Sequence, residues 1–136
     1  MESHLDSYMR PISVPVHALV DYPLAVAMML APSGFGFGRS GVAEDLAIRG
    51  IGAAFLFLCL ATRYDLGLIP LCSMRSHRNV EILTGLVLML VAFAGRFSAR
   101  GARVYAVFGI GLVFLALLTH IGRREELAFG RRHARL

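Results

Sequence analysis

Four apolar stretches, each close to the length of a bilayer crossing, constrain this chain more than any other feature. They run from about Val16 to Leu30 (and on towards Phe37), from Leu46 to Thr62, from Val80 to Gly95, and from Val104 to Ile121. A hydrocarbon core of ~30 Å needs ~20 helical residues at ~1.5 Å each, so the flanking residues are expected to complete some spans. Only helices and closed barrels satisfy every backbone group in lipid. The stretches lack period-two alternation and are rich in Leu, Ala and Met, which selects helices. Composition agrees: 57% of residues are hydrophobic, 17% are charged and mean hydropathy is +0.65, against ~45–50% apolar and ~25% charged in soluble domains. The expected fold class is all-α, an integral membrane four-helix bundle.

The four stretches fall into two similar pairs. Stretch one aligns with stretch three at an offset of 60: His17 meets His77, Asp21 meets Glu81, and Met29-Leu30 meets Met89-Leu90. Stretch two aligns with stretch four at an offset of 59, where Gly50-Ile51-Gly52 meets Gly109-Ile110-Gly111. Recurrence at nearly one period predicts a tandem repeat of a two-helix unit, copy one over about 16–63 and copy two over about 76–121. An even number of spans per copy makes the copies two parallel hairpins. Residues 1–15 form a polar N-terminal segment and residues 122–136 a basic tail.

All 14 basic residues besides histidine are arginines, and the formal net charge is +5. They lie between and beyond the apolar stretches rather than along one face, which speaks against a nucleic-acid partner. The side holding the termini and the middle loop carries more of them, so both termini are expected in the cytoplasm of a bacterium, with the chain multi-pass in its inner membrane. The polar opening lacks a secretory signal, and stretch one is expected to stay as an anchor. Pro15 suits the first turn of helix one; Pro23 is expected to kink that helix and Pro32 to end or bend it.

These residues resemble the SPW-repeat family of small bacterial membrane proteins. His17-Ala18-Leu19-Val20-Asp21-Tyr22 is similar to the family's His-x-x-x-Asp-Tyr helix opening. Ala31-Pro32-Ser33-Gly34-Phe35-Gly36-Phe37 is similar to its Ser/Ala-Pro-Trp-x-Phe-Gly-Phe ending, with Ser33 in the tryptophan position. The second copy keeps only His77-x-x-x-Glu81 and Phe97. The resemblance spans roughly residues 9–121 and implies the architecture; it implies no activity. Met9-Arg10-Pro11-Ile12 also looks like the start of such proteins, which would make residues 1–8 an extension.

The chemistry-bearing residues are the two His-x-x-x-acid units. Spacing i, i+4 puts each histidine and its carboxylate on one helix face, and ionisable groups in a membrane segment usually face the bundle. Two readings follow. In the favoured one, His17 with Glu81, or His77 with Asp21, clamps the hairpins together, with Arg63 or Arg78 able to neutralise the acids. In the other, His17, Asp21, His77, Glu81 and His120 form a metal or proton site, since imidazole and carboxylate are suitable ligands. A haem or chlorophyll-type pigment on a histidine is a remote third, and no cofactor is expected. Cys59 and Cys72 fit no metal or redox spacing and are expected to be free packing thiols.

The paired glycines lack the strand and third glycine of a nucleotide fingerprint. Small residues let membrane helices approach, so Ala47, Gly50, Ala54, Gly109 and Gly111 are the expected packing interface. Arg123, Arg124, Arg131 and Arg132 are expected to contact anionic lipid headgroups. With no catalytic triad, the expected function is a non-catalytic accessory subunit that packs against other integral membrane proteins, in an energy-transducing assembly for example. The alternative is a small transporter or metal- or proton-handling protein that uses the His/acid cluster.

Overall fold

The computed structural model describes residues 12–36, 41–94, 97–119 and 121. The polar opening up to residue 11, His120 and the arginine-rich tail therefore lie outside the described residues. Four helices make an all-α bundle: α1 Val14–Phe35, α2 Val42–Leu60, α3 Met74–Phe93 and α4 Ala99–Leu118. Among the described residues there is no β-strand.

Each helix starts earlier than hydropathy alone predicts, because polar first turns belong to the helix. Ser73 and Ser98 cap α3 and α4, their hydroxyls accepting from the Ser76 and Gly101 N–H groups at 3.2 and 3.0 Å. In α2 the opening turn carries Glu44 and Asp45, where acidic groups complement the helix dipole. Helix α1 continues through Pro23 and Pro32 to Phe35, so of the two outcomes expected at Pro32, an end or a bend, the end does not occur there. The stop is Gly36, whose left-handed φ of 67° lets its N–H reach the Pro32 carbonyl. Glycine adopts that conformation without a Cβ penalty.

Helices α1, α3 and α4 are long and apolar enough to cross a membrane. Helix α2 has 19 residues and carries Glu44, Asp45 and Arg49 near its start. There the Arg49 guanidinium donates to Asp45 Oδ1, the Met29 carbonyl and Ser33 Oγ at 2.7–2.9 Å, tying α2 to the end of α1. The outer surface is apolar: Leu30, Leu90, Phe93 and Phe114 are more than half exposed. A soluble monomer rarely shows so much contiguous apolar surface; lipid accepts it.

The buried positions reveal the register of the two hairpins. Along α1 and α3 they recur at an offset of 60, with Val14/Met74, His17/His77, Asp21/Glu81, Ala25/Gly85 and Met28/Leu88 all buried. Along α2 and α4 they recur at 57: Glu44/Gly101, Ile48/Tyr105, Gly52/Gly109, Phe55/Leu112, Cys59/Ala116 and Thr62/Thr119. The offset of 59 read from the two Gly-Ile-Gly motifs is thus two residues out of spatial register. Two residues turn a helix by ~200°, so the error swaps its inner and outer faces. Gly52 and Gly109 are the contact glycines. A Cβ on Gly52 would lie 3.0 Å from the Ala25 carbonyl, and one on Gly109 would lie 2.7 Å from that of Gly85.

The segments entering α1 and α3 are also held alike. The Ile12 N–H donates to the Leu118 carbonyl at 3.2 Å, and the Cys72 N–H to that of Ala61 at 3.0 Å. Each makes an isolated parallel bridge, Ile12 with Thr119 and Cys72 with Thr62. The entry to each hairpin is thereby fastened to the exit of the other, and the bundle closes.

Candidate functional site

Both histidines lie in the first turn of their helices, at the same end of the bundle, yet His17, Asp21, His77 and Glu81 are all fully buried. Val14, Ala18, Tyr64 and Met74 pack as an apolar cover over this end. Tyr64 comes from the α2–α3 connection, and burial pushes its phenol above the ordinary range, so it stays protonated.

Each imidazole is fixed from behind by a threonine. The Thr62 hydroxyl donates its one hydrogen to the Leu58 carbonyl at 2.6 Å, so at 2.7 Å from His77 Nδ1 it must accept. Thr119 repeats this, donating to the Leu115 carbonyl at 2.7 Å and accepting from His17 Nδ1 at 2.6 Å. Both Nδ1 atoms therefore carry the proton, and both Nε2 atoms turn into the centre. This is how histidines that bind metals are usually oriented, with the second ring nitrogen donating to an outer group.

The inward-facing atoms crowd together at ion-pair distances. Asp21 Oδ2 lies 3.1 Å from both Nε2 atoms, and Glu81 Oε2 lies 3.3 Å from His17 Nε2. Neither Nε2 atom nor any of the four carboxylate oxygens, all buried, has a partner at full hydrogen-bond geometry. Most buried side-chain polar atoms find one. A carboxylate clamped by a protonated imidazole would sit along its N–H axis. Donors that flank a shared ion sit off that axis, and ligands ~2.1 Å from a tetrahedral metal are ~3.4 Å apart. His17, His77 and Glu81 offer ligand atoms within 4.8 Å of one another, as do Asp21, Cys59 and His77.

The opposite end of the bundle holds another buried acid, which the sequence reading missed. Glu44 Oε1 accepts from the Ser98 N–H at 2.6 Å and Oε2 from the Ser98 hydroxyl at 2.9 Å. Its backbone carbonyl accepts from the Tyr105 hydroxyl at 2.9 Å. A carboxylate against the N-terminus of α4 also complements the helix dipole. Gly101 makes the room, since a Cβ there would strike the Glu44 carboxylate.

The structure places the other residues singled out in the sequence. Ala47, Gly50 and Ala54 are exposed on the outer face of α2, and a Cβ at Gly50 or Gly111 would meet open space. Of the five expected packing residues, Gly109 makes a close helix contact within the chain. Of the two arginines expected to neutralise the acids, Arg63 is exposed, with its Nε donating to the Pro70 carbonyl at 3.1 Å, whereas Arg78 acts electrostatically on Glu81. His120, Arg123, Arg124, Arg131 and Arg132 lie outside the described residues; Thr119 is what α4 contributes to the centre. Thr62 and Thr119 escaped the sequence reading because a threonine at a segment end looks like a boundary residue. Their recurrence at an offset of 57 was the available signal.

No known protein family, curated protein or solved structure matches the chain. Fold and site together define a bundle of membrane-type helices with a buried His–carboxylate centre between two hairpins.

Proposed function

We propose that the protein handles metal at the membrane, holding one divalent first-row transition-metal ion between its hairpins through His17, Asp21, His77 and Glu81. One observation carries this reading: six inward-facing donor atoms, all buried, converge without hydrogen-bond partners while both Nδ1 atoms are held by threonines. Two carboxylates offset the charge of a divalent cation where an uncompensated charge would cost several kcal/mol, and Arg78 acts electrostatically on Glu81 from the same helix. Imidazole and carboxylate together suit Zn, Co, Fe and Mn.

The test is metal content of the purified full chain in mild detergent after exposure to Zn2+, Co2+ or Mn2+ and gel filtration. About one ion per chain is expected, and none when His17→Gln and His77→Gln are combined. Equal trace metal in both proteins would sink the idea.

A second reading, the non-catalytic accessory subunit, is favoured by the small residues Ala47, Gly50 and Ala54 on the outer face of α2. Another membrane helix could approach closely there. Native mass spectrometry from gentle detergent should then show a stoichiometric partner that Gly50→Leu releases. The bacterial inner-membrane location, the cytoplasmic termini, the SPW-repeat resemblance and the anionic-lipid contacts of the tail belong to the same proposal.

A further inference from the structure

The second donor set asks for a more specific ion. Cys59 is fully buried and free. Its Sγ, a carboxylate oxygen of Asp21 and a ring nitrogen of His77 lie within 4.8 Å of one another. His77 Nδ1 is committed to Thr62, so the nitrogen available for an ion is Nε2, with a single lone pair. One lone pair serves one ion. The sets His17/His77/Glu81 and Asp21/Cys59/His77 therefore cannot each hold an ion of their own, because both need His77. Cys59 has no thiol counterpart, since Ala116 fills the matching buried position in α4. The centre is thus symmetric in its histidines, acids and threonines but one-sided in sulfur.

We infer that Cys59 is a thiolate ligand of the ion held by His77 and Asp21, which makes the site one for a thiophilic borderline cation such as Zn2+ or Co2+ rather than Mn2+ or Mg2+. The inference rests on the proposed metal site. Sulfur ligands select Zn and softer ions, whereas oxygen-rich sets suit Mg and Mn. The thiol must lose its proton when the ion binds, so each ion taken up through Cys59 releases that proton to solvent. Cys72, the other free thiol, is placed elsewhere. Its Sγ lies 3.4 Å from the Ala61 carbonyl and from Thr62 Oγ1, behind the imidazole rather than in front of it.

The experiment is the absorption spectrum of the full chain in detergent as Co2+ is added. Wild-type protein should show visible d–d bands together with a near-ultraviolet sulfur-to-cobalt charge-transfer band. Cys59→Ala, which installs the residue α4 already carries at the matching position, should lose the charge-transfer band, keep d–d bands and bind Zn2+ at least about tenfold more weakly. Cys72→Ser should keep both features. Bound cobalt with d–d bands but no charge-transfer band in wild-type protein would overturn the thiolate and leave the His–carboxylate site standing. A wild-type protein that takes up no Co2+ or Zn2+ would overturn both.

Discussion

The two ends of this bundle bury carboxylates in opposite ways. At the α1–α2 turn end, Glu44 has both oxygens satisfied by Ser98, and Gly101 has given up its side chain to admit them. At the other end Asp21 and Glu81 are as deeply buried, face two imidazoles at 3.1–3.3 Å, and leave all four oxygens without a hydrogen bond. The chain can satisfy a buried acid with its own groups where only packing is at stake. An end that leaves its acids open, with the histidines oriented from behind, is arranged for something else to enter.

That contrast can be broken by experiment. The largest effect expected is on the ion's own contribution to stability. Binding to the folded state alone stabilises by RT ln(1 + [L]/Kd), about 2.7 kcal/mol at a free ion concentration of 100 Kd. Wild-type thermal unfolding in detergent should rise accordingly with Zn2+ and fall back with a chelator. Asp21→Asn with Glu81→Gln should abolish the response while costing little in metal-free protein, because no hydrogen bond is lost and two buried charges are removed. A large loss of metal-free stability in that variant would mean the acids are a clamp after all.

Glu44→Ala should do the reverse. Removing charge-assisted hydrogen bonds at a helix N-terminus should cost about 2 kcal/mol while the Zn2+ response survives. Next in size is the threonine support. Thr62→Val keeps the volume but removes the acceptor that holds the His77 ring, so ion affinity should fall about 10-fold or more, read by competition with a chromophoric chelator. Unchanged affinity would mean the ring needs no such support. The smallest contrast lies between neighbouring glycines: Gly111→Ala should stay within about 0.5 kcal/mol, while Gly109→Ala should cost at least about 1 kcal/mol because its Cβ would press on the Gly85 backbone.

Much of this was legible in the letters. Hydropathy and length indicate four helices, and the outward Leu, Val and Phe residues need no knowledge of the fold. The i, i+4 spacing of His17/Asp21 and His77/Glu81 puts each pair on one face, and their offset of 60 places both at the same end. Other features were hidden because they depend on the rotation of one helix against another. The Gly-Ile-Gly motifs invite an offset of 59, but packing chooses 57, and in the letters only the weaker recurrence of Thr62 and Thr119 points to it. Glu44 looks like an ordinary first-turn acid until Ser98, far along the chain, is brought to it.

Sequence alone therefore determined the helices, their apolar exterior and the repeated histidine–acid faces, because these follow from local periodicity and from solvent preference. Only the tertiary structure decided which glycines touch, that Thr62 and Thr119 turn the imidazoles inward, and that Cys59 joins one side of the centre. Such details are set by close packing between elements distant in the chain, where a rotation of two residues exchanges the inside for the outside.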